Sequence, residues 1–399
     1  MNADKSGPLR IVQIGMHQRG ATGGVDRFFW DLFDNLKSST DFSLKAFYFR
    51  QPSGKPDMAP DEVCLGPSGL PVYQRLWNLR RAIIPGFKSE HDGAHLLVSH
   101  FALYASALLP KLSRVPHVVH FQGPWSAESA VEGKGRLNVA VKHLVEKAVY
   151  SSADAFVTLS HSFRDILIKR YFIDPARIHV IPPAVDLERF RLGDRQEARQ
   201  RMEWPNDAVI LVCVRRLARR MGLEVLIEAF RQVADTHPQS MLFLGGSGAL
   251  RNELSQLIAR YGLNHRVRLL GFIPDEELRT TYQAADLSIV PSQFLEGFGL
   301  TTLESLACGT PVLVTPEGGL PEAVKGLERN LVLPDRSSAS MAEWLGRFLA
   351  GKTTLPSAEE CRRYVEANFA WPIIAEKIRA LYWQVSRGEG VPDSSLVSR

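Results

Sequence analysis

Short β-branched or apolar runs alternate with longer segments of helical period along almost the whole chain. In the first half the runs are "RIVQIG" (10–15), "SLKAFYF" (43–49), "HLLVSH" (95–100), "PHVVHF" (116–121), "AFVTLS" (155–160) and "IHVIPP" (178–183). The second half restarts the pattern with "AVILVCV" (208–214), "SMLFLGG" (240–246), "RVRLLGF" (266–272), "LSIVPS" (287–292) and "PVLVT" (311–315). Alternation of this kind predicts a doubly wound α/β protein, and the restart predicts two parallel sheets in series. The break falls near "PPAVDLERFRLGD" (182–194), where Pro182 and Pro183 end a strand and a charged stretch has no period. These signals give an N-terminal domain at 1–185 and a second domain at 186–368. A closing helix within 369–387, "WPIIAEKIRALYWQV", has apolar residues on more than one side and is expected to pack back on the N-terminal domain. The polar stretch 388–399 is expected to be a frayed tail.

Composition narrows the class. The 399 residues are 45% hydrophobic and 23% charged, the profile of a soluble globular protein with room for two cores. The first residues run directly into a strand with no signal-peptide order, and the most apolar stretch (95–110) contains His95, Ser99 and His100 and is too short to span a bilayer. Cys64, Cys213, Cys308 and Cys361 are far apart and form no C-x-x-C pair, which argues against a zinc or redox motif and for a reduced, cytoplasmic setting. A net charge of +5 and a pI near 9.0 suit anionic partners: nucleic acid, a membrane surface or a phosphorylated small molecule. Neither a helix-turn-helix or zinc pattern nor interleaved basic and aromatic residues supports nucleic acid.

Candidate chemistry gathers in "FLEGFGLTTLESLACGTPVLVT" (294–315), where a glycine turn precedes a short helix beginning at Leu300. Ligands of such folds sit beyond the carboxyl ends of the strands, where helix N-termini offer unpaired amides to anions. The amides of Gly299 and Leu300 are therefore a candidate diphosphate site. Glu296 and Glu304 flank it. Carboxylates beside a diphosphate repel it, but they accept hydrogen bonds from hydroxyl pairs, so the arrangement suits a nucleotide sugar, with the ribose diol at one glutamate and the hexose at the other. The plainer alternative makes both of them solvated charges, with Glu304 a first-turn partner of the helix dipole.

Five segments stand in order: "VRRLARRMGLEVLIEAF" (214–230), "LGGSGALRNELSQLIARYGL" (244–263), "VRLLGFIPDEELRTTYQAADLSIVPS" (267–292), "EGFGLTTLESLACGTPVLVT" and "GGLPEAV" (318–324). Together they resemble the C-terminal domain of the retaining glycosyltransferases of the group 1 superfamily, family 4 type. More loosely, "GMHQRGATGGVDRFFWDLFDNL" (15–36), "VVHFQGPW" (118–125), "VTLSHSFRDIL" (157–167) and "RIHVIPPAVDLERF" (177–190) resemble the N-terminal domain. The resemblance implies the GT-B fold, two Rossmann-like domains facing across a cleft, with the acceptor at the first and the nucleotide-sugar donor at the second.

Residue by residue, the family's G-R-L-x-x-x-K-G pattern, whose arginine and lysine hold the donor diphosphate, falls on Arg215 to Gly222. Arg216 matches the arginine. The lysine position is Met221, and a thioether cannot neutralise phosphate, so Arg220 is expected to supply the second cation; the alternative leaves Arg219 and Arg220 as surface charges. The resemblance places donor contacts at Gly23, Gly24, Gly246, Phe298, Gly299, Leu300 and Glu304, and base recognition by backbone at Gly271, Phe272 and Ile273. Relatives often carry a histidine where this chain has Gln122, which can bind a sugar hydroxyl but cannot shuttle a proton. His120 is either a sugar contact or a satisfied strand histidine.

Breaking a sugar–phosphate bond leaves negative charge on the diphosphate, which fixed donors stabilise. The expected catalytic set is Arg216, Arg220 and Glu296, the glutamate positioning the sugar, with no metal and no cofactor beyond the co-substrate. The resemblance implies attack by the acceptor on the same face, with the anomeric configuration retained. The stretch 133–150 reads as a basic amphipathic helix, which suits either domain packing or an anionic membrane and a glycan or polyprenyl-linked acceptor. A nucleotide-sugar epimerase or hydrolase, or a non-catalytic nucleotide-sugar-binding subunit, fits the same donor site. A retaining glycosidase has no use for arginines around a diphosphate.

Overall fold

The computed structural model describes residues 7–20, 23–51, 59–87, 93–109, 115–327 and 329–388. All but the first residue of the expected tail lies outside them. The chain divides into two compact units, 1–182 with 371–399, and Pro183–Ala370. The break between them falls at the Pro182–Pro183 pair itself, three residues before the boundary expected from the sequence. The chain returns to the first unit at Trp371.

In the first unit, strands β1 (Leu9–His17), β2 (Phe42–Arg50), β3 (Glu62–Pro67), β4 (Leu96–Ser99), β5 (His117–Phe121), β6 (Ala155–Thr158) and β7 (Ile178–Val180) form one parallel sheet. Its order is β3-β2-β1-β4-β5-β6-β7. The central strands β4, β5 and β6 are buried along their whole length, as strands covered on both faces are. Helix Gly24–Lys37 buries Phe29, Leu32, Phe33 and Leu36, the i, i+3, i+4, i+7 stripe of a helix on a sheet. Helix Trp371–Ser386 does the same with Ile374, Ala375, Ile378, Leu381 and Tyr382, and Tyr382 reaches β5 through a 2.7 Å hydrogen bond to His120 Nε2.

In the second unit, β8 (Val209–Val214), β9 (Ser240–Gly245), β10 (Val267–Gly271), β11 (Leu287–Val290) and β12 (Val312–Val314) form a parallel sheet in the order β10-β9-β8-β11-β12. The chain runs outward from β8 to β10 on one side, then crosses back to β11. The neighbours β8 and β11 therefore flank the topological switch point, where the loops leaving their carboxyl ends diverge and a ligand crevice forms.

Candidate active site

Two loops meet at that switch point. The first leaves β8 with Arg215, and the second leaves β11 with Ser292 and Glu296 and enters helix Leu300–Ala307. Arg215 is held at its backbone by a 2.9 Å hydrogen bond from its N–H to the Gly245 carbonyl. Its guanidinium is buried and forms an ion pair with Glu296. The same Nη2 donates to Ser292 Oγ at 2.9 Å and lies 3.0 Å from Met221 Sδ, while Nη1 donates to Thr301 Oγ1 at 3.2 Å. Ser292 in turn donates to Glu296 at 2.8 Å. Burial alone pushes the Glu296 carboxyl up; the charges of Arg215 and Arg220 and the hydrogen bonds from Ser292 and Arg215 outweigh it and hold the group below its ordinary value. The result is a buried, ionised carboxylate below the first turn of a helix.

Backbone packing fixes this carboxylate in place. Leu295 is one of three non-glycine residues with positive φ among the described residues, at 53°, and its N–H donates to Glu317 at 2.9 Å. Gly318, at φ 58°, passes so close that a Cβ there would lie 1.9 Å from the Glu296 carbonyl, to which the Gly319 N–H donates at 3.0 Å. Gly246 likewise approaches Arg215, where a Cβ would lie 1.9 Å from the carbonyl. Gly299, at φ 79°, turns the loop into the helix.

The expected site residues divide by where their side chains fall. Arg220 is half-buried, donates to the Leu295 carbonyl at 3.2 Å and acts on Glu296. Arg216 is exposed, one residue past the buried Arg215. Arg219 is a surface charge paired with Glu224 and Glu253. Gly299 and Leu300 stand at the helix entrance. Glu304 is buried and accepts from Tyr282 at 3.2 Å, which excludes the alternative that made it a solvated charge. Gly246 and Gly271 adjoin through a 2.6 Å backbone hydrogen bond, and Phe272 beside them is 57% exposed.

Two expectations change. The Phe298 side chain is buried edge-on against Phe369, so only its backbone is available to a donor. Ile273, expected to act through its backbone, has its side chain buried in the space left by Gly245. His120, in the first unit, is fully buried, stacked on His100 at 4.4 Å and bonded to Tyr382, and burial pushes it down to about 3. It is a packed strand histidine and not a sugar contact. In the same unit, Gln122 keeps a buried amide nitrogen with no partner among the described residues. Gly24 opens helix Gly24–Lys37, whose first turn holds Asp26 against His17 at 3.0 Å. Among the residues that complete the site, Arg215, Ser292, Thr301 and Gly318 were not singled out from the sequence. The signal for Arg215 was its place immediately after the strand at the switch point.

The two units and their sheet orders are those of a GT-B protein. Sucrose-phosphate synthase from Thermosynechococcus elongatus superposes with a TM-score of 0.80 at 24% identity, covering 95% of this chain and 99% of that one. Anabaena HepE in complex with UDP and glucose superposes at 0.74 with 19% identity, covering 94% and 99%. In sequence, the D-inositol 3-phosphate glycosyltransferase of Corynebacterium jeikeium is 34% identical over 78% of each chain. Residues 194–370 match the glycosyl transferases group 1 model, and 22–189 match glycosyltransferase family 4. The chain belongs to the group 1 glycosyltransferases and is an enzyme of that family.

Proposed function

We propose that this enzyme moves a hexose-type sugar from a nucleoside-diphosphate sugar to a glycan or lipid-linked acceptor with retention of configuration, in polysaccharide or glycolipid synthesis. The observation that carries the reading is the buried, ionised Glu296 held between guanidiniums at the entrance of helix Leu300–Ala307. The diphosphate lies at the amides of Gly299 and Leu300, where the helix dipole adds positive potential. As the sugar leaves, charge grows on the diphosphate, and fixed cations and amides that need no reorganisation lower the barrier. Guanidiniums thereby take the part a divalent metal plays elsewhere. Glu296 accepts from sugar hydroxyls, Glu304 serves the ribose, and the exposed Phe272 offers the base an aromatic face. The presence of UDP and glucose in the HepE complex supports a UDP-sugar donor.

The acceptor reading rests on helix Arg136–Ser151, where Leu137, Val141 and Leu144 follow i, i+4, i+7 spacing and are 79%, 51% and 65% exposed. Exposed Lys134, Arg136 and Lys147 accompany them. An apolar stripe flanked by cations suits the surface of an anionic bilayer. No helix among the described residues is long and apolar enough to cross one, so contact is peripheral, at the inner face of the cytoplasmic membrane.

Incubation with a panel of nucleotide sugars, with and without membrane extract, tests the whole reading. Transfer to a lipid-extractable product, with the anomeric configuration of the donor kept in its NMR couplings, is expected. Consumption of donor without acceptor points to an epimerase or hydrolase, and binding without turnover to a non-catalytic subunit. Flotation with anionic liposomes at low salt tests the acceptor; protein that stays wholly in the soluble fraction counts against a lipid-linked one.

A further inference from the structure

We infer that the cation of the missing family lysine has been relocated, and that Arg215 supplies it to the diphosphate from the end of β8. The inference rests on the donor reading above and assigns a leaving-group contact within it.

The guanidinium has five N–H groups in a fixed plane. Its Nη2 faces Ser292, Glu296 and Met221, and its Nη1 gives one bond to Thr301. The Nε–H is buried and has no partner among the described residues, and Nη1 has no second acceptor among them. Two N–H groups of a side chain 7% exposed are thus left for an acceptor that the described residues do not provide. Thr301 lies in the first turn of helix Leu300–Ala307, so these donors sit at the positive end of that helix. Arg215, Arg220 and the helix end against the one charge of Glu296 leave roughly one and a half positive charges. The surplus suits a diphosphate and leaves Glu296 ionised beside it.

Position 221 explains why the arginine is there. The Met221 sulfur touches the Arg215 guanidinium at 3.0 Å, and its side chain is buried. A lysine at 221 would bring its ammonium into the same space, where two cations with little water between them repel strongly. The space beside Ser292 and Glu296 that the Arg215 guanidinium fills admits one cation, delivered either from 221 or from 215. In this chain a polarisable, uncharged thioether packs on the guanidinium that replaces the lysine.

A swap tests the assignment in the full-length protein, with calorimetric titration of UDP and thermal unfolding as readouts. Arg215→Gly is expected to weaken UDP binding about 10- to 100-fold, the range for losing a charge-assisted contact. Adding Met221→Lys to it is expected to restore most of that affinity. Met221→Lys alone is expected to bind UDP no better than wild type and to melt at a lower temperature. Should Arg215→Gly fail to fold, Arg215→Gln keeps much of the aliphatic stem and a polar end without the charge and is expected to show the same loss. Unchanged UDP affinity in either Arg215 variant overturns the inference, and so does a double variant that regains thermal stability but no UDP affinity, because an ammonium at 221 would restore the counter-ion of Glu296 even if the arginine were merely structural, whereas only a contact to the diphosphate brings the affinity back. Wild-type protein that binds UDP while failing these tests leaves the donor reading intact. Wild-type protein that binds neither UDP nor any other nucleoside diphosphate overturns both.

Discussion

Glu296 is a carboxylate taken out of water yet held in its charged form, and that condition depends on its neighbours. Removing it leaves Arg215 buried without its counter-ion, which costs about 3–5 kcal/mol for a pair of this kind. Glu296→Gln is therefore expected to lower stability by that order and to reduce kcat/KM about 100-fold or more, checked by urea unfolding and sugar transfer. The pH dependence has a definite sign. The folded carboxyl titrates below its ordinary value, so its contribution is complete above the unfolded carboxylate range and is lost as pH falls through the folded value. The stability gap between wild type and Glu296→Gln should be constant near neutrality and close only in acid below about 4. A gap that closes between pH 7 and 6 would contradict the ion pair as described. Arg216→Ala, at an exposed position, is expected to cost transfer but little stability, and equal turnover in that variant would remove it from the leaving-group set. Glu296 was legible in the sequence because a charged residue beside a glycine turn stands out. Arg215 was hidden by its neighbour Arg216: which of two adjacent arginines turns inward depends on where the strand ends, and one residue of register inverts the answer.

At the scale of elements, what positions the site is backbone in van der Waals contact with backbone. The loop carrying Gly318 presses on the Glu296 carbonyl from one side, while Gly222 stands equally close to the Pro291 carbonyl on the other. Gly318→Ala adds a methyl where there is no room, at a φ of 58° that side chains resist. It is expected to destabilise the second unit by about 1–3 kcal/mol and to weaken nucleotide binding, with unfolding and UDP titration as the measures. A variant as stable and as tight-binding as wild type would show that the loop yields. The elements themselves were largely readable, because parallel strands covered on both faces write continuous apolar runs such as "VILVCV". Strand β3 was not read. Its sequence, "EVCLGP", is short, half-exposed at the sheet edge and ends in glycine and proline, so it lacks the alternation and length that signal a strand. The meeting of the β8 and β11 loops was not readable either, since it follows from strand order.

For the whole molecule, the helix that ends the described chain belongs to the unit that begins it. Helix Trp371–Ser386 buries Trp371, Ile374, Ala375, Ile378, Leu381, Tyr382 and Val385 in the first unit. At about 1.5–3 kcal/mol for each large apolar side chain, their loss is comparable to the 5–15 kcal/mol that holds a typical domain together. A chain stopped after Ala370 is expected to lose the first unit's tertiary structure, seen as protease sensitivity confined to residues before Pro182, while UDP affinity in the second unit persists. Loss of both together would show that the second unit depends on the first. The second unit, by contrast, is one unbroken stretch whose two ends are tied by the bridge between Val185 and Ala370. On the ribosome this reverses the usual order of completion. The unit translated later has all its parts once residue 370 clears the exit tunnel, whereas the unit translated earlier waits, with its apolar sheet face open, until helix Trp371–Ser386 has also emerged. During that interval a nascent-chain chaperone would have most to protect in the segment made first.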